Sequence, residues 1–429
     1  MLNNNLSNLK QRIVNAYHQL RKTNILANFF NLGSIQISNI LLFLLTTRLI
    51  TGVVGMAEFG IVMFANRVAQ FAGIAVNFGT NQSAVRDTTS NFNDPQKLAS
   101  VFYNTIWIRS LVFIATLLLL LCLHNVGVPY YKTILMAVPI VLAEVFNPLC
   151  FFIGIEKLKI FNIYNLIFNI IAVLALVFFI KGPADTNWIN FILGSGNLMT
   201  YVSLLIYLLK KYKLSFRLPE KNELLILLKN NFYLTVNNAS VNLQQSVIVF
   251  ALANWGSANI LGAYALCDRV ISQCRNLLIT LSNAIYPNAV HAYNADKAHW
   301  DRYRRKTKYL LAGVFFAGTV LLFIFANWII CPILSKQPDP VAVMFLRIMA
   351  LVPLVSAFNV LNVLDQLLKN NTVYIFRIAT ILLVLALPLS FIAARANNYL
   401  LTGGFTLIVE IAALLMYEYS IKKPALQYV

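Results

Sequence analysis

Long runs of apolar residues, separated by short polar segments, recur along almost the whole chain. Twelve runs contain about 20 or more mainly apolar residues, the length that a helix needs to cross roughly 30 Å of hydrocarbon. A backbone in lipid must satisfy its own hydrogen bonds, so runs of this length predict helices. The predicted spans are residues 26–50, 59–80, 104–124, 132–155, 160–181, 186–209, 232–255, 259–287, 309–331, 341–367, 371–394 and 398–421. The pattern therefore predicts an all-α polytopic membrane protein.

A weak internal repeat divides these spans into two sets of six. At an offset of 202 residues, the second span and the loop after it match the eighth span and its loop without a gap. The matching positions are Gly60, Arg67, Val68, Asn81 and Asp94 with Gly262, Arg269, Val270, Asn283 and Asp296. Two six-helix bundles in the same orientation would be related by a pseudo-two-fold axis along the membrane normal. Such parallel repeats are typical of transporters whose substrate path lies between two rocking halves.

The repeat and the loops between spans predict the domain organisation. The predicted segments are a cytoplasmic interfacial segment at 1–25, a first six-helix bundle at 26–209, a basic cytoplasmic linker at 210–231, a second six-helix bundle at 232–421 and a cytoplasmic tail at 422–429. Because the outer loops are short, they leave little room for a catalytic domain on that face. This argues against a membrane enzyme such as a polysaccharide polymerase or a lipid-dependent glycosyltransferase.

Composition and charge support the membrane interpretation. Of the 429 residues, 59% are hydrophobic and 11% are charged, whereas soluble domains have about 25% charged residues. Of the 34 Lys and Arg residues, 23 fall on the side that holds both termini, 4 fall in the opposite loops and 7 lie within spans. This bias follows the positive-inside rule and predicts that both termini are cytoplasmic. The basic residues are dispersed over loops that face anionic headgroups, so we expect no nucleic-acid partner.

The sequence contains no H-E-x-x-H metal motif and no G-x-x-x-x-G-K-[ST] nucleotide motif. Its five cysteines contain no C-x-x-C pair. We therefore expect no bound cofactor or metal and no enzymatic activity.

Arginines within the spans are the first candidates for a binding site, because an ionisable group inside a bilayer is costly. Arg67 and Arg269 occupy equivalent positions in the repeat. They lie roughly 12 to 15 Å from the outer ends of their spans at 1.5 Å per residue, which is too deep for easy snorkelling. We expect them to converge on a central cationic cavity, with Arg275 extending the path. The alternative is an ion pair of Arg269 with Asp268 or another acid.

Other arginines lie nearer to the predicted span ends, namely Arg48, Arg109, Arg347 and Arg377. Snorkelling of their long side chains to the interface is one interpretation of this position. Arg347 and Arg377 are also candidates for further cavity cations. The pattern leaves both interpretations open.

Two carboxylates, Glu144 and Glu410, lie near the middle of the fourth and twelfth predicted spans. With Asp268, they could pair with the cavity arginines or carry a coupling H⁺ or Na⁺. The sequence does not decide between charge pairing and ion coupling.

Amide side chains form a stripe along the seventh span. Asn231, Thr235, Asn238, Asn242 and Gln245 recur at spacings of four and three and so share one helical face. The first span carries a shorter version that includes Asn28 and Asn39. Such a stripe can hold helices together through hydrogen bonds. Alternatively, it can offer partners to sugar hydroxyls, which cost roughly 2 to 7 kcal/mol each when they are buried unpaired.

Three motifs resemble one known family. EFGIVMFANRVAQFAGIAVNFGTNQSAVRD at 58–87, NPLCFFIGIEKLK at 147–159 and LGAYALCDRV at 261–270 are similar to the second-, fourth- and eighth-span patterns of Wzx-type O-antigen and polysaccharide flippases. This family belongs to the multidrug/oligosaccharidyl-lipid/polysaccharide (MOP) exporter superfamily. The family resemblance marks Gly79, Asn81 and Arg86 as signature or gate residues.

The resemblance implies an activity and a location. It implies that an undecaprenyl-diphosphate-linked oligosaccharide moves from the cytoplasmic to the periplasmic leaflet of a bacterial inner membrane. The implied partners are this lipid-linked substrate, membrane lipids and other polysaccharide assembly proteins, such as a polymerase and a chain-length regulator. The alternative within the same superfamily is a MATE-like, ion-coupled drug or cation antiporter, which would favour central carboxylates over central arginines.

Overall fold

The computed structural model describes residues 25–334, 339–369, 371–396 and 398–422. The side chains of residues 25–39, and of some helix residues from 283 onward, lie outside the described part. Within these ranges the chain contains helices and loops and no β-strand. The predicted all-α class is confirmed.

Nine α-helices precede the boundary between the two predicted bundles. They are α1 (Ile25–Val54), α2 (Met56–Asn77), α3 (Thr80–Ser90), α4 (Pro95–Cys122), α5 (Tyr131–Met136), α6 (Val138–Val145), α7 (Leu149–Gly154), α8 (Leu158–Phe179) and α9 (Thr186–Tyr212). Short 3₁₀ helices follow α4 and precede α9, at Leu123–Val126 and Pro183–Asp185.

Eight further α-helices are described after this boundary. They are α10 (Lys221–Trp255), α11 (Ala258–Ala295), α12 (Lys297–Ile324), α13 (Ala326–Leu334), α14 (Pro340–Met349), α15 (Leu351–Leu368), α16 (Thr372–Arg395) and α17 (Tyr399–Lys422).

The structure divides into two compact units, residues 1–45 and residues 46–429. In the first unit, the described residues 25–45 form the beginning of α1. The second unit contains the rest of α1 and all the helices from α2 to α17. The candidate site described below lies entirely within the second unit.

Nine helical stretches of the described chain are long and apolar enough to cross a membrane. A shorter apolar stretch, Ile40–Val54, lies in α1. Helices α10 and α11 are also long, but their amide and charged residues lower their hydropathy. The predicted count of twelve spans is consistent with these helices and stays a prediction.

Two of the six predicted spans in the first half are broken helices beside the candidate site. The second span, predicted at 59–80, separates into α2 and α3 at Phe78 and Gly79, whose φ angles are +48° and +67°. Glycine tolerates this left-handed conformation because it has no Cβ atom. The fourth span breaks between α6 and α7, around Pro148, since proline cannot continue the hydrogen-bond ladder of the preceding helix. The segments after the breaks, α3 and α7, pack against each other.

Helix α4 begins at Pro95, nine residues before the start predicted at 104. Asp94 caps this helix because its carboxylate accepts hydrogen bonds from the backbone amides of Gln96 and Lys97 at 3.0 and 3.2 Å. These bonds, with that from Lys97 the largest contributor, lower the pKa of Asp94 below its ordinary value. An aspartate followed by a proline at the first helical position is a strong helix start.

Helix α10 also starts early, at Lys221, inside the predicted linker 210–231. Glu223 in its first turn accepts hydrogen bonds from Asn104 of α4 and from Arg217, each at 2.9 Å. A carboxylate is favourable at this end of a helix because the exposed backbone amides are partly positive. The irregular part of the predicted linker is therefore short.

The two halves of the repeat meet where α2 and α11 cross near their N-terminal ends. The repeat-equivalent residues Gly60 and Gly262 face each other at this crossing. A Cβ atom on Gly60 would lie 2.5 Å from the backbone nitrogen of Gly262, and a Cβ atom on Gly262 would lie 2.0 Å from the carbonyl oxygen of Met56. The helices can approach this closely only because both residues lack side chains.

We expect Gly262→Ala to destabilise the crossing of α2 and α11. The new methyl group forces the two backbones apart, and overpacking of this kind costs about 1 to 3 kcal/mol. Thermal unfolding of the purified protein in detergent measures the effect as a lower Tm. Gly318→Ala on α12 is the matched control, because a Cβ atom there meets no heavy atom within 4 Å. Equal melting temperatures for the two variants would contradict the tight crossing.

Candidate functional site

A polar cavity lies beyond the glycine crossing, between α2 and the helices around it. It consists of two adjoining parts of about 540 and 410 Å³ that share Gln70, Ile140 and Glu144. The part nearer the crossing is lined by Met63, Asn66, Arg67, Asn169, Leu193, Asn197, Val249, Ala265, Arg269, Ser272, Gln273 and Asn276. The other part is lined by Ala69, Gly73, Ile74, Asn77, Asn81, Gln82, Asn147, Asn238 and Asn242.

The two repeat-equivalent arginines both line the part nearer the crossing. Arg67 donates to the Oδ2 atom of Asp268 at 2.5 Å, and this ion pair joins α2 to α11. The guanidinium of Arg269 is 3.7 Å from the sulfur of Met63 on α2. The structure thus brings the predicted cations together, and the predicted acid pairs with Arg67 instead of with Arg269.

An amide network on α2 and α9 surrounds the arginines. The Nε2 atom of Gln70 donates to Asn66 at 2.8 Å, and Asn66 donates to the Oδ1 atom of Asn190 at 3.3 Å. Asn190, fully buried, donates in turn to the carbonyl of Val62 at 2.8 Å. This chain of bonds fixes the orientation of Asn66 and Gln70, whose polar atoms border the cavity.

Glu144 on α6 borders both parts of the cavity. Its carboxylate accepts a hydrogen bond from the Nδ2 atom of Asn147 at 3.0 Å. A Cβ atom on Gly73 would lie 2.9 Å from the Cγ atom of Glu144, so the glycine makes room for this side chain. Among the described residues, Glu144 has no ion-pair partner.

The amide stripe of α10 reaches the cavity in part. Asn238 and Asn242 line it, whereas Gln245 is exposed. Asn231 is buried, and its Cβ atom and carbonyl oxygen lie close to Gly79 at the break between α2 and α3.

Arg275 and Glu410 form an ion pair at 3.2 Å between α11 and α17, outside the cavity lining. Six residues along a helix correspond to a rotation of roughly 240°, so Arg275 and Arg269 occupy different faces of α11. Ser272, Gln273 and Asn276 share the face of Arg269 and line the cavity instead. The structure therefore gives Arg275 and Glu410 a contact between helices of the second half.

The remaining predicted positions lie away from the cavity lining or outside the described side chains. Arg347 on α14 has its guanidinium 5.5 Å from the ring centroid of Phe323. Arg377 on α16 is exposed. Asn28 and Asn39 belong to α1, and their side chains lie outside the described part.

Arg109, on α4, is the residue for which sequence reasoning gave the wrong environment. The side chain is 1% exposed, so it does not snorkel. Its Nε atom donates to Thr80 at 2.7 Å and its Nη2 atom donates to Asn81 at 3.1 Å, both in the first turn of α3. Its Nη1 atom donates to the carbonyls of Glu144 and Asn147 at 3.2 and 2.6 Å, at the end of α6. One guanidinium therefore connects both helix breaks.

The physical reason for the error is the position at which the helix starts. Measured from residue 104, Arg109 lies near a span end. Measured from Pro95, where α4 begins, it lies roughly 21 Å along the helix at 1.5 Å per residue. The signal was present in the sequence, because Asp94 followed by Pro95 is a strong helix start.

The signature residues Gly79, Asn81 and Arg86 occupy three different environments. Gly79 provides the left-handed backbone of the break. Asn81 lines the cavity and accepts from Arg109. Arg86 is exposed and its Nε atom donates to the adjacent Asp87 at 3.0 Å. The first two residues therefore belong to the broken helix beside the cavity, and Arg86 lies on the surface of α3.

We expect Arg109→Met to be strongly destabilising. It would leave the carbonyl of Asn147 and the side-chain oxygens of Thr80 and Asn81 without their described donor, and each buried unpaired group costs about 1 to 3 kcal/mol. The measurement is the yield of folded protein and its Tm in detergent. Arg86→Met is the matched control on the exposed surface. A Tm for Arg109→Met within the range of the control would show that this network does not hold the two breaks.

The comparisons with known proteins agree with this architecture. A family model described as "Polysaccharide biosynthesis protein" matches residues 25–293, which is more than half of the chain. A protein of Escherichia coli (strain K12) named "Putative O-antigen transporter" is 22% identical over 358 residues, covering 81% of this chain and 85% of its own.

Two solved structures are similar over most of their length. An inward-facing multidrug resistance MATE family transporter of the MOP superfamily has a TM-score of 0.74 at 12% identity and covers 89% of this chain and 93% of its own. The lipid II flippase MurJ in an inward closed conformation has a TM-score of 0.71 at 15% identity, with 93% and 87% covered. Both likenesses concern the fold. With the match of the family model, the chain belongs to the polysaccharide biosynthesis protein family.

Proposed function

We propose that this protein is a flippase for a lipid-linked oligosaccharide, and that it moves an undecaprenyl-diphosphate-linked polysaccharide repeat unit from the cytoplasmic to the periplasmic leaflet. The observation that carries the proposal is the pairing of Arg67 and Arg269 on one polar cavity between α2 and α11. Guanidinium groups offer forked donors that suit a diphosphate or an acidic sugar.

The amides around the arginines suit the rest of such a substrate. Asn66, Gln70, Asn197, Asn238 and Asn242 border the cavity. These side chains both donate and accept, so they can replace the water that a sugar hydroxyl loses on entry. An oligosaccharide crosses the bilayer in this mechanism while its lipid tail stays among the acyl chains.

Alternating access follows from the contact between halves. Gly60 and Gly262 bring the backbones of α2 and α11 together, which would close one end of the cavity, and the ion pair of Arg67 with Asp268 lies on the cavity side of this crossing. In the predicted orientation of the spans, α2 begins at the periplasmic side, so the closed end of the cavity is periplasmic. The arrangement is then inward-facing. Opening to the periplasm separates α2 from α11, so the ion pair breaks and Arg67 is released towards the substrate.

We also propose a location and partners for the protein. The protein is a multi-pass protein of the bacterial inner membrane with both termini in the cytoplasm. It carries out transport without covalent chemistry. A polymerase that consumes the translocated unit and a chain-length regulator are its proposed neighbours in polysaccharide assembly.

We expect Arg67→Gln and Arg269→Gln to reduce polysaccharide export at least tenfold, because each removes a cation from the cavity and keeps a polar side chain. The measurement is surface polysaccharide in a strain that lacks its own flippase and expresses each variant. Mass analysis should detect accumulated lipid-linked units inside these cells.

Arg395→Gln is the matched control, because Arg395 is exposed at the end of α16 and lies outside the cavity lining. Membrane fractions should contain equal amounts of every variant. Normal export by both cavity variants would refute the assigned substrate contact.

Ion-coupled antiport of a drug or cation is the second candidate function. Glu144 favours it, because this carboxylate borders both parts of the cavity and has no ion-pair partner among the described residues. Asp268 and Glu410, the other two predicted acids, are paired with Arg67 and Arg275. A coupling H⁺ or Na⁺ is therefore assigned to Glu144 in either function.

We expect Glu144→Gln to remove the dependence of transport on an imposed H⁺ or Na⁺ gradient, since an amide neither releases a proton nor carries a negative charge. Proteoliposomes with a fluorescent lipid-linked oligosaccharide and with a cationic dye measure both candidate functions. Retained gradient dependence in the variant would exclude Glu144 as the coupling site. Transport of the dye alone by the unsubstituted protein would favour the antiporter.

A further inference from the structure

A second basic pocket lies in the C-terminal half, at the end where α12 begins. It has a volume of about 530 Å³ and is bordered by α12, α15 and α17. Three cations from one face of α12 line it, Arg304, Arg305 and Lys308. The lining residues of this pocket and of the central cavity do not overlap. The pocket is therefore a separate site.

A buried network holds one wall of this pocket in place. Asn362 on α15 is 0% exposed, and it accepts a hydrogen bond from the Nη2 atom of Arg304 at 2.8 Å. The same amide donates to the Oε1 atom of Glu418 on α17 at 3.1 Å, and Glu418 also forms an ion pair with Lys308. The network thus fixes the guanidinium of Arg304 and neutralises Lys308 internally.

Positive charge remains after these pairs are formed. Arg304 makes one hydrogen bond in the described structure, and Arg305 is exposed and makes none there. Asp301 is the other acid of the lining, so the two guanidinium groups outnumber the one carboxylate that is outside the network with Lys308. Arginines with unused donors suit phosphate oxygens, because the planar fork makes two parallel hydrogen bonds.

The rest of the lining is apolar and reaches the outer surface of the bundle. Phe358 and Leu414 line the pocket beside Tyr309, which is 69% exposed. The next residue, Leu310, is 66% exposed. Exposed apolar side chains on a membrane helix face acyl chains, so the pocket joins a cationic wall to a lipid-facing surface.

We propose that this pocket binds the phosphate headgroup of an anionic membrane lipid. A soluble phosphate compound would not use the apolar wall, whereas a lipid places its phosphate against the arginines and its chains along Tyr309 and Leu310. Basic pockets between membrane helices bind such headgroups in the membranes of cells. The ligand chemistry is a phosphate ester on a lipid, supplied by a bilayer phospholipid or by a polyprenyl phosphate.

The test is native mass spectrometry of the full-length protein in detergent, with phosphatidylglycerol, phosphatidylethanolamine or undecaprenyl phosphate added separately. We expect Arg304→Gln/Arg305→Gln to lower bound phosphatidylglycerol at least fivefold. Lys210→Gln/Lys211→Gln, at the end of α9, is the matched control that removes two charges elsewhere and keeps binding. Arg305→Gln alone, which breaks no described hydrogen bond, should lower binding at least twofold in a protein with an unchanged Tm.

The outcomes separate the sources of the phosphate. If the protein prefers phosphatidylglycerol to phosphatidylethanolamine and the arginine variants lose this preference, the phosphate comes from a bilayer phospholipid. Preference for undecaprenyl phosphate with the same sensitivity supports a polyprenyl source. Equal lipid binding by both double variants would overturn the proposal. It would also be overturned if a protein co-purified only when Arg304 and Arg305 were present, while lipid binding was the same with and without them.

Discussion

The interaction on which the cavity depends is the set of hydrogen bonds made by the Arg109 guanidinium. Two membrane helices break at one level, and each break exposes backbone carbonyls or side-chain oxygens that lipid cannot satisfy. Arg109 donates to both breaks from a third helix. A cation is also favoured at the end of α6, where the carbonyl groups are partly negative. Arg109 also holds the backbone carbonyl of Glu144, the residue that lines the cavity beside the break.

Close helix packing and open cavity space occur on the same pair of helices, α2 and α11. At Gly60 and Gly262 the backbones are in direct contact. Two turns further along each helix the large side chains of Arg67 and Arg269 occupy the same cavity. The predicted repeat accounts for this symmetry, because the paired residues occupy equivalent positions in it. The ion pair of Arg67 with Asp268 breaks the symmetry, and it commits one arginine to the closed contact between halves while Arg269 contacts Met63.

Much of this arrangement could be predicted from the sequence. Apolar run length gave the helical class, and the 202-residue offset identified Gly60, Gly262, Arg67 and Arg269 as equivalent pairs. The depth of a residue along its helix and its angular position around the helix axis were less predictable. A helix start defined by a polar cap, such as Asp94 before α4, lies outside the apolar run, so the depth of Arg109 was underestimated. A six-residue step placed Arg275 on another face of α11, against Glu410. The partner of Asp268 depends on contact between distant segments, which spacing within one helix does not specify.

The positions of the ion pairs indicate which contacts a movement of the two halves would keep and which it would break. Arg275 with Glu410 and Lys308 with Glu418 join helices within the C-terminal half, and the bonds of Arg109 join helices within the N-terminal half. Arg67 with Asp268 is the ion pair described between α2 and α11. In the proposed mechanism, rocking of the two halves would conserve the pairs inside each half and break the pair between α2 and α11. In the proposed flippase mechanism, a substrate phosphate would replace Asp268 as the partner of Arg67, so substrate binding and opening would be coupled through the same guanidinium group.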